Sequence, residues 1–308
     1  MQYAVIDLGS NTFHLLIAER QDDGGWAPLV RERIFVKLAE EGIEQIGPAA
    51  FARGLAAMQL FRRHLDASGI SPEQVLAYGT AALRTAGNAP AFLREVKRQT
   101  GIQAEAISGK REALLICKGV RQAVPFPENR VLIMDIGGGS VEMTIADRER
   151  VYWYHSFPVG VAVLFRRFHK SDPIAPDEIA AVKAFLQTEL TDLWEALKRY
   201  AAPTLIGAAG AFDTIDHLLL DPATKPPLYG WIPAVDFDPL YQRILRSTLV
   251  EREQWQHLAP ERREMIVVGM ILIDCILRCA GIREIYTSVY SMKEGMLAEL
   301  VEQLPPIA

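Results

Sequence analysis

Residues 3–19 read YAVIDLGSNTFHLLIAE, and residues 131–147 read VLIMDIGGGSVEMTIAD. Laid one over the other, Asp7 meets Asp135, Gly9 meets Gly137, Thr12 meets Ser140, Ile17 meets Ile145 and Ala18 meets Ala146. Each copy is an apolar run, an Asp-x-Gly, a few small polar residues and a second apolar run. The pattern predicts a strand, a tight turn and a returning strand. Glycine is needed at the turn because backbone passes where a Cβ would clash. Two copies in a chain of 308 residues predict two similar domains facing each other. The Pro-containing stretch 124–130 (VPFPENR) places their boundary between 1–124 and 125–308.

Outward from the repeat, apolar spacing predicts helices over 48–67, 80–86, 90–100, 110–123, 176–200, 236–248, 260–280 and 292–303. Asn88 reads as the N-cap of the third of these and Gly101 as its stop. Strands are predicted over 74–79, 103–107, 204–208 and 284–288, a turn over 207–210 leads into a helix, and 224–231 reads as a loop. Strands alternating with helices of this length make an α/β protein with mixed sheets.

Composition narrows the function. Half the residues are hydrophobic and 23% are charged, which is a packed globular profile. Lys and Arg total 33 against 38 Asp and Glu, a net charge of −5, which excludes a broad basic surface for duplex nucleic acid. A local basic funnel stays compatible with that balance. The three cysteines form no CxxC pair, and Cys275 and Cys279 sit in an apolar helical run, so they read as reduced core residues. The start, MQYAVIDLG, has no basic leader region and is interrupted by Asp7, so no signal peptide is expected. The longest apolar stretch, 265–282, is broken by Asp274 and Arg278 and reads as a core helix, with a homodimer face as the alternative, rather than a membrane span. A soluble cytoplasmic protein is the expectation.

The two glycine tips carry the chemistry. Backbone N–H groups in such turns form a concavity for phosphate, and Ser10, Asn11, Thr12 and Ser140 add side-chain donors. A carboxylate beside a phosphate is repulsive unless a hard cation lies between them; Mg²⁺ takes one or two carboxylates plus phosphate oxygens. Asp7, Asp135 and Glu142 are the candidate ligands. The six histidines show no HExxH, and no GxxxxGK[ST] is present, so zinc and P-loop chemistry are both excluded.

Five blocks, DLGSNTFHLLIAE, YGTAALRTAGNA, ISGKREALLICKGV, DIGGGSVEMTIAD and SVYSMKEGML, resemble in order and spacing the exopolyphosphatase / guanosine pentaphosphate phosphohydrolase (Ppx/GppA) family, over essentially the whole chain. The resemblance implies two ribonuclease-H-like domains of the actin/Hsp70/sugar-kinase superfamily around a central cleft, in a short form without the extra C-terminal helical domain of longer members. It implies Mg²⁺-assisted hydrolysis of terminal phosphate from polyphosphate, or of the 5′ γ-phosphate of guanosine pentaphosphate. The family's water-activating glutamate falls on Glu112 and its phosphate-binding arginine on Arg84. Its first loop falls on Asp7, Gly9, Ser10, Asn11 and Thr12, and its second on Asp135, Gly137, Gly138, Gly139, Ser140 and Glu142. Glu112 would orient the attacking water and accept its proton, and Arg84 would offer a fork to phosphate oxygens. Lys110, Arg111 and Lys293 join Arg84 as cations for a polyanion track.

Three departures stand out. The family's Gly-x-Ser-Gly-Thr loop reads GAAGA at 207–211, so Gly207 and Gly210 keep backbone donors while the hydroxyls are gone at Ala209 and Ala211. Lys110-Arg111 precede Glu112 where the family often has Asn-Glu. Ser291 stands where glycine is common. These departures leave two alternatives: a non-catalytic polyphosphate or alarmone sensor, and a sugar or acetate kinase relative sharing the fold.

Overall fold

The computed structural model describes residues 2–21 and 25–302. In chain order the elements are β1 (Gln2–Leu8), β2 (Thr12–Arg20), β3 (Trp26–Phe35), α1 (Pro48–Ala67), β4 (Val75–Gly79), α2 (Ala81–Thr85), α3 (Ala89–Thr100), β5 (Ala104–Ala106), α4 (Gly109–Ala123), β6 (Val131–Ile136), β7 (Val141–Ala146) and β8 (Val151–Phe157). There follow α5 (Val161–Phe168), α6 (Pro176–Glu189), α7 (Thr191–Arg199), β9 (Thr204–Ala208), α8 (Gly210–Leu219), β10 (Tyr229–Pro233), α9 (Ala234–Arg246), α10 (Leu249–Glu253), α11 (Ile266–Ala280), β11 (Glu284–Ser288) and α12 (Met292–Glu302).

The chain divides into two compact units, Met1–Leu115 with Met292–Ala308, and Ile116–Ser291. The first holds a five-stranded sheet ordered β3-β2-β1-β4-β5; the second holds a six-stranded sheet ordered β10-β11-β9-β6-β7-β8. In the first, β1, β2 and β3 run antiparallel while β1, β4 and β5 run parallel. In the second, β6, β7 and β8 repeat the antiparallel meander and β6, β9 and β11 the parallel part, with β10 added antiparallel at the edge. Each unit is therefore an α/β fold in which an antiparallel three-stranded meander continues into parallel strands, the topology expected of the ribonuclease-H-like domains that the resemblance implies.

The repeat extends to single hydrogen bonds. Gly9 N–H donates to Thr12 C=O at 3.1 Å and Gly137 N–H to Ser140 C=O at 3.0 Å. A Cβ on Gly9 would lie 2.7 Å from that acceptor oxygen, which is why the turn takes glycine. The irregularities in the second strand pairs fall at Ile17/Ala18 and Ile145/Ala146, positions that the aligned sequences superpose.

Several elements differ from the sequence expectation. The boundary falls inside α4, not at 124/125, and α12 joins the first unit, packing against β1 with Met292, Met296 and Leu297 buried. Its expected last residue, Gln303, lies outside the described residues. The helix expected over 176–200 breaks at Leu190 (φ −94°, ψ 20°) into α6 and α7. Leu186, Leu190 and Leu193 all stay buried across the break, and the Trp194 indole N–H takes up the Gln187 carbonyl at 3.0 Å. The 224–231 loop is partly strand, because residues 229–233 pair with β11. The third strands β3 and β8 carry no clean alternation and were not expected.

Asn88 holds the N-cap position of α3 but makes no cap bond. Its amide clamps the Ile46 peptide instead, accepting at 2.9 Å and donating at 2.8 Å. The 260–280 helix reduces to α11 after a short 3₁₀ turn, and Ile266 through Leu277 are all buried inside the second unit. It is a core helix, without a free apolar face. Asp274 within it is compensated by Lys183 at 2.8 Å and Arg278 at 2.6 Å. Cys117 and Cys275 are buried free thiols and Cys279 is an exposed one; burial pushes the Cys275 thiol up to about 12. Among the described residues no helix is long and apolar enough to cross a membrane.

Candidate active site

Register brings the sequence motifs to one edge of each sheet. In the first unit Leu8, Gly79 and Ala106 stand side by side at the carboxyl ends of parallel β1, β4 and β5. The first glycine loop, α2 and α4 all start from that edge, the usual ligand side of an open α/β sheet. In the second unit Asp135, Ala208 and Ser288 are side by side at the ends of β6, β9 and β11. The second glycine loop, the GAAGA turn and the Ser288–Ser291 stretch start there.

In the first unit, Ser108 caps α4 by accepting the Arg111 N–H at 3.2 Å, which puts Glu112 in the helix's first turns. Glu112 is 6% exposed. Arg84, from α2, donates through Nη1 to the Glu112 Oε2 and to the Ile107 carbonyl, each at 2.9 Å. The expected base, buried, and the expected phosphate arginine, partly exposed, thus form one pair between positions 28 residues apart. The first loop acts mainly as scaffold. The Ser10 hydroxyl accepts from Ala82 N–H at 3.0 Å, so it holds the start of the helix that carries Arg84. The Asn11 carbonyl accepts from Val36 and Lys37, and Thr12 accepts from Gly9. Of the cations read as a polyanion track, Arg84 faces Glu112, Arg111 pairs with Glu299 at 2.5 Å, and Lys293 lies 3.3 Å from Glu294.

In the second unit, Asp135 and Glu142 are directly opposed across β6 and β7, 8% and 3% exposed. The corresponding pair in the first unit is Asp7 with His14. The doubled carboxylate is therefore a property of the second copy, and Asp7 belongs to the other unit. Two like charges on one rung repel; here hydroxyls converge on them. Ser140 and Ser156 donate to the Glu142 Oε1 at 2.6 and 2.7 Å, and Ser291 donates to the Asp135 Oδ2.

An all-oxygen set of two carboxylates and serines fits a hard cation such as Mg²⁺, which keeps water and substrate oxygens in its shell. Among the described residues no group of three or more His, Cys, Asp and Glu is placed to hold a metal ion by itself.

The second loop turns its carbonyls inward. Gly160, Val161 and Ala162 N–H groups, at the start of α5, donate to Gly139, Gly137 and Gly138 at 3.3, 3.0 and 2.9 Å. A Cβ on Gly160 would sit 2.4 Å from the Gly138 oxygen.

The third loop divides. Gly207 lies within β9, and its missing Cβ makes room for the Phe212 ring, 2.0 Å from where that atom would be, so its role is packing. Ala209 has φ +62° and ψ −170°, a backbone region that belongs to glycine, and Gly210 opens α8 beside the Arg262 guanidinium.

Sequence reasoning missed Ser156, Gly160, the Ile107 carbonyl and the bond from Ser291. Apart from Gly160, none has a local signal. Ser156 reaches Glu142 only through the pairing of β7 with β8. Gly160 had one usable cue, a glycine directly before an apolar helical run.

Comparison with known proteins agrees along the whole chain. A sequence model of the Ppx/GppA phosphatase family matches residues 16–304. A crystal structure of an exopolyphosphatase from Cytophaga hutchinsonii is 33% identical, covers 99% of each chain and has a TM-score of 0.93. Exopolyphosphatase 1 of Mycobacterium tuberculosis is 26% identical over 304 residues, 96% of this chain and 87% of that protein. A putative exopolyphosphatase of Haemophilus influenzae is 28% identical over 302 residues, 97% of this chain and 91% of its own.

Proposed function

The chain belongs to the Ppx/GppA phosphatase family, and from that premise we propose that it removes terminal phosphate from inorganic polyphosphate by attack of water. The observation that carries this reading is the pairing of Arg84 with the buried Glu112 carboxylate at 2.9 Å. Phosphoryl transfer to water needs an oriented nucleophile and neutralised phosphate charge, and little covalent chemistry from the protein.

Glu112 orients the water and accepts its proton. Arg84 holds Glu112 in position, and its planar guanidinium has further donors suited to phosphate oxygens. The Gly138 and Gly139 N–H groups bind the chain's oxygens. Asp135 and Glu142 would hold Mg²⁺, which would supply neutralisation of phosphate charge. The three relatives described above are named exopolyphosphatases, one of them putative, which supports polyphosphate over a nucleotide.

The test is phosphate release by purified protein from long-chain polyphosphate and from guanosine pentaphosphate, each with Mg²⁺ and with EDTA, beside Glu112→Gln. The expected result is release from polyphosphate, lost in EDTA and reduced about 10²- to 10⁴-fold in the variant. Release from guanosine pentaphosphate alone would overturn the substrate. Binding without release would overturn catalysis in favour of a sensor.

A further inference from the structure

We infer that Ser291 is a positioning residue for Asp135. The inference rests on the reading of Asp135 as a site carboxylate. Asp135, Ala208 and Ser288 stand in register on three neighbouring parallel strands. Strands are about 4.8 Å apart, so β11 ends about 10 Å from Asp135.

The Ser288 hydroxyl bridges this gap by shaping the exit of β11. It donates to the Tyr290 carbonyl at 2.7 Å and accepts the Tyr290 N–H at 3.2 Å. The tightened turn folds the chain back across the end of β9. Ser291 thereby reaches Asp135 and donates its hydroxyl to Oδ2, with the serine 9% and the aspartate 8% exposed.

Three consequences follow from the chemistry. A buried carboxylate with a fixed donor on one oxygen is held in one rotamer, and outer partners of this kind orient a metal ligand. A residue without a hydroxyl at position 291 would leave the carboxylate free to swing. Ser291 is also the last residue of the second unit, and Met292 opens α12 in the first. The bond therefore ties the chain's crossing point to the site.

The experiment compares crystal structures and Mg²⁺ calorimetry of the full chain with Ser291→Ala and Ser291→Thr. In Ser291→Ala the Asp135 carboxylate is expected to leave its rotamer or split between two, and Mg²⁺ affinity to fall about tenfold. Ser291→Thr, which keeps the hydroxyl, is expected to restore both, a rescue that a purely packing role would not produce. An unchanged Asp135 rotamer in Ser291→Ala overturns the inference whatever the cation does. A displaced carboxylate with unchanged Mg²⁺ affinity overturns its role toward the cation. A wild-type chain that takes up no Mg²⁺ defeats the cation reading of the site, while the paired structures still decide whether Ser291 sets Asp135.

Discussion

Ala209 is the residue whose backbone is most at odds with its side chain. Its φ of +62° with ψ of −170° is a conformation that costs a non-glycine about 1–3 kcal/mol. Ala209→Gly removes that strain while adding about 0.5–1 kcal/mol of unfolded-chain entropy. A net stabilisation of about 1 kcal/mol is expected, read as a rise in the urea midpoint at unchanged slope; a lower midpoint would show that Ala209 is not strained. Residue identity was legible where chemistry is local. Asp135, Glu142 and Ser140 sit within one hairpin, so spacing alone puts them at its tip. Ser156 and Ser291 lie 14 and 156 residues from the carboxylates they bond. Nothing in the chain around a serine says which distant acid will face it.

At the scale of elements, the α5 start and the second glycine loop form one piece. Three successive N–H groups of α5 hold three loop carbonyls, and Gly160 is where the two backbones touch. Gly160→Ala places a carbon 2.4 Å from the Gly138 oxygen, so the loop must move. Phosphate release is expected to fall at least tenfold with the melting temperature lowered as for an overpacked site, about 1–3 kcal/mol. Full activity would separate α5 from the loop's function. Elements with a strong period were legible: α1, β9 and β11 match their sequence bounds because apolar spacing and flanking Gly or Pro act locally. The split of α6 from α7 was not, since the apolar face continues unbroken through Leu190. Asn88 illustrates the same limit, because a residue suited to capping found a better partner in Ile46, 42 positions away.

For the whole molecule, acid is the expected weakness. Burial, and then the charge of Arg252, lower the His169 imidazole below its ordinary value, against the opposing pull of Glu178, Asp172 and the Ser171 backbone. Phe165 packs edge-on at 4.9 Å. The folded chain thus prefers the neutral ring. Its contribution is fully present above the unfolded value of about 6.5 and is lost as pH falls through the lower folded value. The urea midpoint is expected to drop more between pH 7 and pH 5 in wild type than in His169→Gln; equal drops would remove His169 as the cause. By itself the sequence determined that there are two related α/β units, that each begins with an Asp-x-Gly hairpin, and which acids and glycines crown them. Those properties come from periodicity and turn chemistry, which act over a few residues. Tertiary structure alone decided that α12 belongs with the first unit, that Arg84 grips Glu112, that Gly207 serves packing, and that three serines surround one carboxylate pair. These depend on strand order and on which buried polar group finds which partner, and such pairings are settled only when the sheets close and water is excluded.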